Sequence, residues 1–250
     1  MDDIGVPVAI PDTVRRIVSL VPSLTESVAA TVPEALVGAT DWCSHPPGLD
    51  VARVRGTKNP DLEAVRRLRP DVVLANAEEN REPDLEALRQ AGIAVWVTRI
   101  ETLEQAFASL DRMFLHACRV ARPAWLDAAE AAWRTARADG PRRTAVVPIW
   151  RRPWMVVGRD TFTGDVLGHL GVDNLYAGHA ERYPKIPLAE LVERRPDLVV
   201  LPDEPYAFSA TDGPECFPGL SCALVSGRLL TWYGPSLVEA PAVLRRALAG

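Results

Sequence analysis

Leu62-Glu63-Ala64-Val65-Arg66-Arg67-Leu68-Arg69-Pro70-Asp71-Val72-Val73-Leu74 and Leu188-Ala189-Glu190-Leu191-Val192-Glu193-Arg194-Arg195-Pro196-Asp197-Leu198-Val199-Val200 are one pattern written twice. Each copy opens with apolar residues at helical spacing: Leu62, Val65 and Leu68 share one face of the first. Each is then stopped at Arg-Pro-Asp, because proline cannot continue a helix. Each closes on a short β-branched run, which suits a buried strand. One helix–turn–strand unit per half predicts two similar halves.

Outward from these repeats, strand and helix keep alternating. In the first half strands are expected at residues 16–22, 37–40, 72–75 and 93–97, and helices at 60–68 and 85–91. Ser23 with Glu26 three residues on predicts a capping box, opening a helix that runs to about Thr31. In the second half strands are expected at 144–149, 155–157 and 198–201, with helices near 165–170 and 188–194. Such alternation is the pattern of a parallel sheet covered by helices. Between the halves it breaks: Leu103, Phe107, Leu110, Phe114 and Cys118 recur at helical spacing. Residues 124–138 are alanine-rich and free of glycine, predicting a long helix ended by Gly140-Pro141. The expected fold is α/β, with two Rossmann-like lobes built on parallel sheets and joined by one long backbone helix. Residues 1–119 form the first lobe, 120–140 the connecting helix and 141–250 the second lobe. Such a joint predicts a cleft between the carboxyl ends of the strands, where open α/β sheets bind ligands.

Composition narrows the function. The 250 residues are 48% hydrophobic and 24% charged, with a net charge of −5, and the mean hydropathy is near zero. That balance belongs to globular proteins, and the acidic excess argues against nucleic acid as a partner. No apolar run reaches the ~18 residues of a membrane span. The first residues show neither a basic stretch nor an apolar core of a secretory signal. A cytoplasmic location is therefore expected as the sequence stands, and an extracytoplasmic one if a signal segment has been removed. Cys43, Cys118, Cys216 and Cys222 lack metal-site spacing and read as free thiols, with a Cys216–Cys222 disulfide as the alternative. Lysine occurs only at Lys58 and Lys185, so nearly all positive charge is arginine.

Four segments carry a family resemblance: Ile17-Val18-Ser19-Leu20-Val21-Pro22-Ser23-Leu24-Thr25-Glu26, Gly56-Thr57-Lys58-Asn59-Pro60-Asp61-Leu62-Glu63, Pro153-Trp154-Met155-Val156-Val157-Gly158-Arg159-Asp160-Thr161-Phe162 and Leu230-Thr231-Trp232-Tyr233-Gly234-Pro235. In this order they resemble the helical-backbone (class III) substrate-binding proteins of ABC importers, most closely the cobalamin-binding branch. The resemblance implies a two-lobed receptor that binds cobalamin or a related corrinoid without chemistry. Siderophore and haem receptors share the frame, so ferric siderophore and haem are the alternative ligands. It also implies a permease partner, docked through one surface glutamate per lobe. Glu63 matches the first, whereas the repeat sets Ala189 opposite it, with Glu190 about 100° away around the helix.

The residues themselves point the same way. No Gly-x-Ser-x-Gly, phosphate-binding glycine loop or His-Glu-x-x-His occurs. A chelatase-like tetrapyrrole enzyme using His45 is the competing class, and it needs a general base or carboxylate cluster near the metal, which the sequence does not place on the cleft side. Large planar ligands are held by aromatic walls with a few polar anchors. Trp42, Trp150, Trp154, Tyr206, Phe208 and Trp232 follow expected strands or lie in glycine- and proline-rich turns, so they are the candidate wall. The resemblance puts Trp232 at a ligand-lining position. Trp125 and Trp133, on the central helix, read as structural. His45, in Ser44-His45-Pro46-Pro47, is the candidate axial ligand to the metal of a bound corrinoid or haem. His116 and His169 read as helix-face residues, and His179 is a weaker loop candidate. Arg151 and Arg152 offer guanidinium forks to carboxylates or amide oxygens at the ligand rim.

Overall fold

The computed structural model describes residues 1–136 and 140–249. Its residue contacts divide the chain into two compact units. The first comprises residues 1–100, 104–127 and 233–235; the second comprises 101–103, 128–232 and 236–250.

In the first unit, β1 (Ile17–Ser19), β2 (Leu36–Ala39) and β3 (Ala52–Arg53) are followed by a small antiparallel pair, β4 (Arg55–Gly56) with β5 (Asn59–Pro60). β6 (Val72–Asn76) and β7 (Val95–Thr98) complete a five-stranded parallel sheet of order β3-β2-β1-β6-β7. Its helices are α1 (Pro22–Ala29), α2 (Leu62–Arg67), α3 (Glu82–Gln90) and α4 (Leu103–Arg112). All of β6 is buried, and Val73, Ala75, Val95 and Val97 pack with Val65 of α2 and Leu85 and Leu88 of α3. A strand covered on both faces has no room for polar alternation, hence its continuous apolar sequence.

α1 departs from the expected capping box. Its N-cap is Val21 and Pro22 occupies the first turn, where a missing N–H is harmless. Ser23 and Glu26 therefore lie inside the helix and are buried, and the helix ends at Ala29 rather than about Thr31. α4 passes into one π-helical turn, Met113–Ala117. α5 (Ala124–Thr135) begins in the first unit and continues in the second. The helix is shorter than the expected 120–140 connection: it starts at Ala124 and ends at Thr135, with Ala136 already outside it, while the expected last residue Ala138 lies outside the described residues.

In the second unit, β8 (Arg143–Val146) precedes an antiparallel hairpin, β9 (Pro148–Arg151) with β10 (Trp154–Val156). α6 (Phe162–His169), β11 (Val172–Asn174), α7 (Leu188–Glu193), β12 (Leu198–Pro202), β13 (Cys222–Val225), α8 (Gly227–Thr231) and α9 (Ala240–Ala249) follow. The parallel sheet has order β11-β8-β12-β13. In both sheets the first strand of the repeat lies beside the strand that follows Arg-Pro-Asp: β1 beside β6, and β8 beside β12.

The repeat is structural down to single bonds. Arg69 and Arg195, each before the proline, share φ = 45°. The following aspartates then reach to the start of the neighbouring strand. Asp71 accepts from the backbone N–H of Arg15 and Arg16 at 2.7 and 2.8 Å. Asp197 accepts from the N–H and hydroxyl of Thr144 at 2.7 and 2.8 Å. Those two bonds hold the Asp197 carboxyl below its ordinary range. The aspartate therefore fixes where the two central strands begin to pair.

Candidate functional site

The candidate residues stand on segments that leave the carboxyl ends of parallel strands. In the first unit β2 ends at Ala39 and leads into Thr40-Asp41-Trp42-Cys43-Ser44-His45. Cys43 anchors this loop: its sulfur is fully buried, 3.0 Å from Thr25 Oγ1 and 3.1 Å from Thr40 Oγ1. Arg53 adds bonds from its guanidinium to the carbonyls of Thr40 and Cys43 at 2.9 and 3.0 Å. On that base Trp42 projects with 69% of its surface exposed, and His45 is half-buried with Nδ1 3.1 Å from Ser44 Oγ. Burial pushes the Cys43 thiol up, so it is a packing residue and no nucleophile for His45 to activate.

At the same end of this sheet, Asn76 closes β6. Its side-chain amide donates to Thr98, and its backbone N–H donates to Asn80, 2.9 Å away. Asn80 in turn donates to the carbonyls of Leu20 and Thr57. Lys58 donates to the Glu78 carbonyl. Tyr233, fully enclosed, is hydrogen-bonded to Ser23 and Thr98, and burial raises its hydroxyl pKa, with Glu79 adding to the shift. Gly234 passes so close to α1 that a Cβ there would lie 2.8 Å from Ser27 Oγ and 3.1 Å from the Ser23 carbonyl oxygen. This backbone proximity explains the glycine in Trp232-Tyr233-Gly234-Pro235. The sequence reading missed the network because it joins residues from five separate segments.

In the second unit the β9–β10 hairpin follows β8, and residues 203–213 follow β12. Their aromatics meet. Trp150 meets Tyr206 edge-on at 5.7 Å, Trp154 stacks on Phe208 at 6.1 Å, and Tyr206 and Phe208 are 4.7 Å apart, ring centre to ring centre. Phe217, which the sequence reading did not single out, closes on the edge of Trp154 at 5.4 Å. Phe208 is buried, Trp154 and Tyr206 are half-buried, and Trp150 is 43% exposed. Trp232 is buried, at 8% exposure, so its ring carries packing in addition to any ligand contact.

The two arginines differ. Arg151 forms ion pairs with Asp212 and, at 2.7 Å, with Glu215; it also contacts Cys216 Sγ at 3.1 Å and lies over the Trp154 ring. Tyr206 donates to the other Asp212 oxygen at 2.7 Å. Arg151 is therefore committed to holding the 203–216 loop. Arg152 is exposed at the hairpin turn. An open groove of about 580 Å³ lies beside it, bounded by residues 151–154 and 185–187. Residues 184–186 run along β10: Val156 N–H donates to Pro184, Ile186 N–H donates to Trp154, and Lys185 is bridged to Met155.

The remaining candidates are structural or peripheral. Trp125 donates to Thr31 Oγ1 and Trp133 to the Leu237 carbonyl, both at 3.0 Å. His116 stacks on Trp96, His169 lies edge-on to Trp133, and His179 Nδ1 accepts from the Glu181 N–H. The cysteines are free thiols, Cys216 and Cys222 included. Glu63 is exposed on α2 and paired with Arg66 at 2.8 Å. Ala189 is exposed at the equivalent place on α7. Glu190 is half-buried and accepts the Tyr176 hydroxyl at 3.1 Å, so it does not stand in for the missing glutamate.

No family model matches the chain. The vitamin B12-binding protein of Vibrio cholerae is 22% identical over 195 residues, spanning 76% of this chain and 71% of that protein. Crystal structures with the same fold include the periplasmic vitamin B12-binding protein of Vibrio cholerae, with TM-score 0.76, 18% identity and coverage of 94% of this chain and 97% of that one. A periplasmic heme-binding protein from Pseudomonas aeruginosa gives TM-score 0.74 and 25% identity, covering 94% and 92% of the two chains. The expected cytoplasmic location finds no support among them, since these solved structures are described as periplasmic. Among the described residues no helix is long and apolar enough to cross a membrane.

Proposed function

We propose, for a chain with the two-lobed α/β fold of the class III substrate-binding proteins and sequence similarity to vitamin B12-binding proteins, that it binds cobalamin or a related corrinoid and performs no chemical step on it. The observation that carries this reading is the position of the aromatic residues in each lobe, with Trp42 and Trp150 exposed. Trp42 beside His45, and Trp150 with Trp154, Tyr206 and Phe208, stand on segments that follow the carboxyl ends of parallel strands. A wall of rings with few polar anchors suits a large, mostly apolar macrocycle. His45 supplies the axial ligand to its metal, oriented by the bond between Nδ1 and Ser44.

Haem is the second reading, favoured by the 25% identity to the Pseudomonas aeruginosa heme-binding protein. A ferric siderophore has no comparable residue in its favour beyond Arg152. The chelatase reading needs a general base or carboxylate cluster beside His45, and Cys43, buried and held by two threonines, is not that base. The working location is extracytoplasmic, with an ABC importer permease as partner engaged through Glu63 and without a glutamate at Ala189.

Aquocobalamin added to the wild type and to His45→Ala tests the reading. Exchange of axial water for imidazole shifts the corrin absorbance in the wild type, and the variant loses that shift while retaining weaker binding. Identical spectra for the two proteins remove His45 from the metal. A spectral response to haemin and none to aquocobalamin turns the assignment to haem.

A further inference from the structure

The groove of the second unit bears on which side groups its ligand carries. Arg151 points into the carboxylates of Asp212 and Glu215, so its charge is spent within the loop. Arg152 and Lys185 differ in that both are exposed and neither side chain has an ion-pair or hydrogen-bond partner among the described residues. They flank the same groove, with Trp154 forming its wall and Ile186 its edge. Among the described residues no acidic side chain lines it. The backbone explains the pairing: Arg152 sits at the tip of the β9–β10 hairpin, and the Ile186 N–H bond to the Trp154 carbonyl (3.1 Å) brings Lys185 alongside. Lys185 is one of only two lysines in the chain. Two cations beside a largely apolar wall suit a body that carries acid groups on its rim. They have nothing to offer a neutral rim beyond single hydrogen bonds.

We infer that the Arg152–Lys185 groove selects tetrapyrroles with free peripheral carboxylates over those whose side chains are amides or esters. This deepens the proposed binding of corrinoid or haem and rests on it. Two exposed charge contacts at about 0.5 kcal/mol each correspond to roughly a fivefold preference at low ionic strength.

The test uses matched probes followed by quenching of tryptophan fluorescence. One pair is cyanocobalamin and its dicarboxylic derivative, made by hydrolysing peripheral amides; the other is haemin and its dimethyl ester. The wild type is expected to bind the acid member of whichever pair it accepts about fivefold more tightly at low salt. The ratio is expected to fall toward one as salt rises, because exposed charges are screened. Arg152→Gln combined with Lys185→Gln is expected to bring the ratio to about one at low salt. Equal affinities for acid and amide or ester in the wild type at low salt overturn the inference and leave the ligand-class reading standing. A preference that survives in the double variant also overturns it, since other groups then read the acid. If neither pair binds, the ligand-class reading fails and the inference falls with it. If the double variant does not fold, Arg152→Gln and Lys185→Gln made singly carry the same test: each is expected to lower the ratio, and a ratio unchanged in both overturns the inference.

Discussion

Gly158→Ala joins the fold to the groove at one atom. Gly158 follows β10, and its N–H donates to the Arg182 carbonyl at 2.7 Å. A Cβ built there would lie 2.3 Å from the Glu181 carbonyl oxygen, 2.9 Å from that of Arg182 and 2.9 Å from Pro184 Cδ. Two of these neighbours are backbone and the third is a proline ring, so none can swing away. Reaching ordinary contact at 3.4 Å requires the 181–184 segment to move by more than an ångström. Overpacking of this kind costs about 1–3 kcal/mol, and the strained Gly158–Arg182 bond adds about 1 kcal/mol. A net loss of about 3 kcal/mol lowers Tm by roughly 6–12 °C in a chain of this length. The same shift pulls Lys185 and Ile186 off β10, so binding of corrinoid or haem weakens as well. Gly168→Ala is the control. It lies within α6, where a Cβ meets nothing within 4 Å, so it is expected to stabilise by about 0.5–1 kcal/mol. Thermal unfolding followed by tryptophan fluorescence reads both variants. Equal Tm and equal affinity for Gly158→Ala and wild type would refute the close-approach argument.

Three further outcomes follow from burial. Trp232→Ala removes a side chain only 8% exposed, so it is expected to lower stability by about 3–5 kcal/mol and to weaken binding; a thermal melt matching the wild type would contradict this. Glu79 has its carboxyl pKa raised, chiefly by burial and further by Glu78, against the opposing Lys58. A raised folded-state pKa means stability is lost as pH climbs from the ordinary glutamate value of about 4.3 through the folded value. Glu79→Gln is therefore expected to be more stable than wild type at pH 7 and equal to it in acid; a less stable variant at pH 7 would reverse the assignment. Iodoacetamide is expected to label the half-buried Cys216 and Cys222 first, and Cys43 and Cys118 only on unfolding. Burial pushes the Cys118 thiol up to about 12. Equal labelling of Cys118 in the native protein, read by peptide mass, would contradict its burial.

What the sequence made legible was whatever repeats or is local. The doubled helix–Arg-Pro-Asp–strand passage predicts α2–β6 and α7–β12, and with them two parallel sheets, because helix-stopping proline and continuous apolar runs act within a dozen residues. The carboxyl-end loops were legible for the same reason, since each follows a recognisable strand. What escaped depends on partners distant in the chain. β13 carries Cys222 and the exposed Leu224, so it does not read as a buried strand, and it forms because Val199 to Pro202 of β12 pair with it. Ser23-Leu24-Thr25-Glu26 reads locally as a capping box, but Pro22 starts the helix two residues earlier and turns both ends of the box inward. Arg151 and Arg152 look equivalent as neighbours. Only Asp212 and Glu215, some sixty residues on, separate a structural arginine from an available one.

Equilibrium binding of cyanocobalamin to the purified chain, by titration calorimetry with haemin run in parallel, bears most directly on the central claim. One corrinoid per chain at micromolar affinity or tighter is the predicted result. No heat and no retained cobalamin, with haemin bound at one equivalent, would contradict the corrinoid assignment, and silence from both would contradict tetrapyrrole binding altogether.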